Sequence, residues 1–224
     1  MRYYKFQIPL SNDNGRISSS ASVDKTPNIE NLFEKIKYGE IIENFPLIDS
    51  FYLESYDDEK YWEDQINDIH TFIGKVNILI GWYVSDDFKQ VLESFKIAPK
   101  YNFYETRVLY KGEKLKYWIF QFPIDPFKNI DFERSTFFLE DKKNIYRFSS
   151  VEEYLVFYRQ EYSVSKKKLK IGCQVLKSNY DMFLTTQNEI VVSENLKKAI
   201  QVKGLKGFEF SELDYEVIVD KTKT

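Results

Sequence analysis

The sequence predicts an α+β protein, mainly antiparallel sheet with several short helices, on three observations. Aromatic residues make up 17% of the chain, with 19 Phe and 17 Tyr, and pleated surfaces favour such side chains. Stretches of two-residue alternation recur along the chain, as in Val76, Ile78, Ile80, Trp82 and Val84. Between them lie short helical stripes opened by serine and closed by glycine or proline.

The clearest unit runs from Glu189 to Val219. Ile190 to Val192 is a β-branched run, and the Ser193 hydroxyl is placed to accept a hydrogen bond from an orphan backbone N–H of the next helix. Leu196, Ala199 and Ile200 form one apolar stripe. Gly204 and Gly207 then turn the chain into Phe208-Glu209-Phe210, whose alternate residues share a face.

Taken in order, Arg2 to Ile8 alternates and predicts a first strand, with Tyr4, Phe6 and Ile8 on one face. Ser11 to Pro27 is polar and serine-rich and predicts a loop. Asn28 opens a helix carrying Ile29, Leu32, Phe33 and Ile36 and ending near Gly39. A short strand over Phe51 to Leu53 and a second helix over Asp57 to Phe72 follow, the latter with Trp62, Ile66 and Ile69 inward. Val76 to Val84 predicts a central strand, and Ser85 caps a helix that Pro99 stops. Phe103 to Tyr110 and Leu115 to Phe122 form a hairpin around Lys111-Gly112. Ser135 to Leu139 pairs with Ile145 to Phe148. Ser150 and Glu153 have the spacing of a capping box, and Leu169 to Leu176 and Met182 to Thr185 complete the strands.

Val84 to Leu92 aligns with Val192 to Ile200, each a strand end, a serine and a helix start. The chain therefore reads as one α+β domain over residues 1–224, with a division into related sub-lobes 1–139 and 140–224. A common supersecondary unit used twice gives the same pattern.

Composition narrows the function. Net charge is −3 and the sequence pI about 5.5, which disfavours direct binding to a phosphate backbone. One cysteine, Cys173, precludes an intrachain disulfide or a cysteine-based zinc site. The start lacks a signal-peptide core, and no apolar run approaches membrane-spanning length, so a cytoplasmic location is expected. His70 is the sole histidine, at the end of a predicted helix, so a triad or multi-histidine site would rest on it alone. Among the carboxylates Asp125, Asp131, Glu133 and Glu140, Asp131 and Glu133 would share a face on an extended backbone, and with Glu140 they make a set for a metal-dependent nuclease or phosphoesterase. A polar turn explains Glu140 equally well. No glycine-rich phosphate loop is present.

A different use of charge is found at Asp57, Asp58, Glu63, Asp64 and Asp68, where Lys60 is the only basic residue and Tyr61 offers an aromatic anchor. Such a face suits a basic protein partner, although an ordinary solvated helix looks the same.

The stretch from Ile130 to Phe137, then Tyr180 to Phe183, Val192-Ser193-Glu194 to Ala199-Ile200 and Gly207 to Phe210 resembles immunity proteins of bacterial polymorphic toxin systems. The resemblance covers the C-terminal two-thirds, from about Val84. It implies a cytoplasmic inhibitor that binds a cognate protein toxin domain without a cofactor, and it carries over no catalytic residues. The nuclease and a general interaction scaffold are the alternatives.

Overall fold

The computed structural model describes residues 1–9, 16–18, 29–54, 66–73, 81–98, 101–122, 126–140 and 144–219. These form an α+β fold of three mostly antiparallel sheets and four helices among the described residues. In chain order the elements are β1 (Tyr3–Gln7), β2 (Arg16–Ser18), α1 (Ile29–Lys37), β3 (Ile48–Glu54), β4 (Ile69–His70) and β5 (Phe72–Ile73). Next come β6 (Gly81–Ser85), α2 (Asp86–Glu93), β7 (Asn102–Tyr110), β8 (Glu113–Gln121), β9 (Thr136–Leu139), β10 (Ile145–Tyr146) and α3 (Val151–Ser165). The chain closes with β11 (Leu169–Leu176), β12 (Met182–Leu184), β13 (Ile190–Ser193), α4 (Glu194–Val202), β14 (Glu209–Glu212) and β15 (Glu216–Val219). No helix among the described residues is long and apolar enough to cross a membrane.

The largest sheet has the order β4-β6-β8-β7-β3-β2-β5, a second β12-β13-β1-β14, and a third β10-β9-β11-β15. Both faces of the first two sheets are covered, so alternate residues enter different cores. Val84 and Phe120 join Tyr4, Phe6, Met182 and Val192 in a central core under α2 and α4. Tyr83, Tyr117 and Ile119 point the other way, onto α1. Tyr3, Phe183 and Val191 meet the third sheet and α3.

The β7–β8 hairpin forms as expected, with Lys111 at φ 49° and Gly112 at φ 86°. That pair of positive φ values is the two-residue turn whose twist matches the strands. Ser150 caps its helix as expected, Glu153 N donating to Ser150 Oγ at 3.2 Å, but the Glu153 carboxylate reaches one residue further back and accepts from Ser149 N and Oγ at 2.7 Å each. Three expectations are corrected. β2 falls inside the stretch read as loop, because it gains partners in β3 and β5. Ile69–His70 and Phe72–Ile73 are strands rather than the end of a helix, since Ile69 pairs with Val84, His70 with Tyr83, and Phe72 with Ile17; the Ile66–Ile69 spacing fits helix, but tertiary pairing wins. Asp131 and Glu133 lie in a turn, with Arg134 N donating to Asp131 Oδ1 at 3.2 Å, and not on an extended strand.

Ser85 and Ser193 are both N-caps. Their hydroxyls accept from Phe88 N at 3.1 Å and Leu196 N at 3.2 Å. Alanine at either position should lower stability by about 0.5–2 kcal/mol, read from urea unfolding midpoints at constant slope. A loss near zero at both sites would remove the capping contribution from the account.

Candidate docking surface

The turn after α1 combines outward apolar side chains with a backbone held from inside. Phe33 and Ile36 of α1 are fully buried against the largest sheet. The helix ends at Gly39, whose φ of 80° lets Glu40 N donate back to Lys35 O at 3.0 Å. The chain then runs over the sheet to β3.

Two buried polar side chains pin this segment. Gln121 Nε2 donates to Ile36 O at 3.0 Å and to Glu40 O at 3.1 Å. Gln121 Oε1 accepts from Tyr104 Oη at 2.8 Å, and Tyr104 Oη in turn accepts from Ile42 N at 3.0 Å. Phe45 packs against the Tyr104 ring, the centroids 4.5 Å apart and the planes tilted by 38°. A buried amide is expensive unless its hydrogen bonds are made, and here they are spent on one surface loop.

What this loop shows outward is Tyr38 (75% exposed), Ile41 (42%) and Leu47 (54%). Glu34, Glu40 and Glu43 are exposed beside them, with Lys35 Nζ 3.4 Å from Glu40. An aromatic and aliphatic centre with a charged rim on a pre-ordered backbone has the anatomy of a protein-binding patch.

Of the residues singled out by charge, Asp57, Asp58, Tyr61, Glu63 and Asp64 lie outside the described residues. Asp68 is described, and its carboxylate is taken up internally: Oδ1 accepts from Ser85 Oγ at 2.7 Å and Oδ2 from Lys206 N at 2.8 Å. The loop at 38–47 escaped sequence reasoning because its two pins are in β7 and β8, far along the chain. Only the density of apolar residues after a helix-ending glycine hinted at it.

The groups considered for catalysis are dispersed. His70 is fully buried in β4, and its Nε2 accepts from Asn67 N at 2.9 Å. Asp131 and Glu133 line one shallow hollow with Phe127, Lys177 and Ser150, whereas Glu140 follows the far end of β9, about 13 Å of strand away. Asp125 lies outside the described residues. Among the described residues no three His, Cys, Asp or Glu side chains gather so as to hold a metal ion. Cys173 is a half-buried thiol in β11, pushed above its usual pKa by burial and by the charge of Glu216. Its thiolate fraction at pH 8 is therefore small, and alkylation by iodoacetamide should run several-fold slower than for an unfolded control. An equal rate would show that β11 and β15 open readily.

Comparison with known proteins places these features in a family. No curated protein matches the chain. A family model does, over residues 77–214, and its description is immunity protein family (Imm11). That span is more than half of the sequence and takes in β6 to β14, including both serine caps, but it leaves out the loop at 38–47. The chain belongs to this immunity protein family.

Proposed function

We propose that the protein is the cytoplasmic inhibitor of a bacterial polymorphic toxin system, binding a cognate toxin domain and masking its active surface without a cofactor. Family membership supports the immunity role. The observation that carries the binding mechanism is the pinned loop with Tyr38, Ile41 and Leu47 turned outward. It lies before the family-matched span, where residues specific to one toxin belong. The acidic segment holding Asp57, Asp58, Tyr61, Glu63 and Asp64 is proposed as a separate, electrostatic contribution to binding, suited to a toxin with a basic surface. Asp68 serves the fold instead.

The test uses the product of the adjacent gene as the candidate toxin. Reversing Asp58, Glu63 and Asp64 to lysine should leave the melting temperature unchanged and slow association, most at low salt. Tyr38→Ala with Leu47→Ala should instead speed dissociation by about tenfold or more. Wild-type rates in either folded variant would exclude the segment that it alters from the docking surface.

A further inference from the structure

Two aspartates make the same four hydrogen bonds. Asp68 O accepts from Ser85 N at 2.8 Å, its Oδ1 from Ser85 Oγ, its Oδ2 from Lys206 N, and Asp68 N donates to Lys206 O at 3.1 Å. Asp181 O accepts from Ser193 N at 2.8 Å, its Oδ1 from Ser193 Oγ at 2.6 Å, its Oδ2 from Lys96 N at 3.1 Å, and Asp181 N donates to Lys96 O at 2.7 Å. Each aspartate thus holds the capping serine of one helix and the chain leaving the other helix.

The equivalence extends through two sheets. β4, β6, α2, β7 and β8 correspond to β12, β13, α4, β14 and β1, and β1 lies antiparallel between β13 and β14 as β8 does between β6 and β7. Val84 faces Trp118, which faces Glu105; Val192 faces Tyr4, which faces Glu212. Tyr117 Oη donates to Asn67 O at 2.7 Å, and Tyr3 Oη to Tyr180 O at 3.2 Å, in each case the residue before the aspartate. Burial, followed by the nearby aspartate charge, raises both phenols well above their usual pKa. Lys89 lies over Trp118 and Phe103, and Lys197 over Tyr4 and Phe210. Even the sequences agree: Lys116-Tyr117-Trp118-Ile119-Phe120-Gln121-Phe122-Pro123 against Arg2-Tyr3-Tyr4-Lys5-Phe6-Gln7-Ile8-Pro9.

We infer that the protein is a fused pair of equivalent units, the second completed by the N-terminal strand, whose reciprocal aspartate clasps prevent either unit from opening alone. The repeat follows contacts and not chain position, so β1 belongs with residues 180–212, while β9 to β11, α3 and β15 stand outside it. The clasps form a closed ring: Asp68 to Ser85, along α2 to Lys96, to Asp181, to Ser193, along α4 to Lys206, and back to Asp68. A helix that frays in one unit pulls the clasp of the other.

Amide hydrogen exchange on D68N and D181N tests this. Asparagine keeps one acceptor and loses the charge, so the altered clasp exchanges a charge-assisted hydrogen bond from the serine hydroxyl for a weaker, reversed one. Either variant should accelerate exchange in both α2 and α4, by a similar factor of about ten or more. Acceleration confined to the helix capped by the serine that the altered aspartate holds would overturn the inference. Ser85→Ala and Ser193→Ala remove a single hydroxyl and serve where the aspartate variants do not fold. Their smaller acceleration must likewise appear in both helices, and its confinement to one would be equally decisive.

Discussion

Replacing Gly207 by alanine should destabilise the protein by about 3–5 kcal/mol, the largest loss expected from any single methyl group here. Gly207 has a φ of 101°, a conformation that L side chains rarely adopt. A Cβ there would stand 2.6 Å from Ile69 O and 2.9 Å from Asn67 Cβ. Neither neighbour is free to retreat. Ile69 is fully buried and paired to Val84, and the adjacent Asp68 is fastened to Ser85 and Lys206. Gly204, three residues earlier, is the internal control: its φ is 69°, but nothing lies within 4 Å of an added Cβ. Gly204→Ala should lose only the backbone contribution of about 1–2 kcal/mol. Urea unfolding of the two variants reads the difference directly, and equal losses would mean that the close approach to β4 is not a constraint.

A second large effect is expected at Gln121. Gln121→Leu keeps the volume roughly constant but removes the side-chain donor to the Ile36 and Glu40 carbonyls and the acceptor of the Tyr104 hydroxyl proton. Losing these three hydrogen bonds should cost about 2–4 kcal/mol. The amide of Ile42, which donates to Tyr104 Oη, should exchange faster as the loop loosens. Tyr104→Phe breaks the same relay from its other end, so the double variant should lose less than the sum of the two. Strict additivity would show that the two side chains do not act together. If the loop is the docking element, Gln121→Leu also weakens toxin binding with no contact to the toxin removed, because the bound conformation is no longer pre-ordered.

Local chemistry made much of this fold legible. The serine caps at 85, 150 and 193 and the Lys111-Gly112 hairpin depend on residues within a few positions of one another, and the structure has them as expected. β4 and β5 are not legible in the sequence because two-residue strands carry almost no period of their own; pairing of β4 with β6 and of β5 with β2 makes them. The aligned nonapeptides at Val84 and Val192 marked the repeat, but its other half was hidden. The strand that answers to β8 is β1, at the opposite end of the chain, so no comparison in sequence order would have set them side by side. The loop at 38–47 was obscure for a similar reason. Glu40 and Ile42 are held by Gln121 and Tyr104, residues whose amide and hydroxyl read in sequence as ordinary strand polarity. For the acidic segment, charge alone was visible, and it gave the same signal as a solvated helix.

The central claim is neutralisation by stoichiometric binding, and titration of the purified toxin domain with this protein tests it most directly. Toxin activity and heat of binding would be followed together while the molar ratio is raised. Loss of activity that tracks complex formation and is complete at one equivalent, with or without divalent metal, is the predicted result. Full activity of the toxin beside excess folded protein, or its loss at a small fraction of one equivalent as an enzyme would produce, would contradict the account.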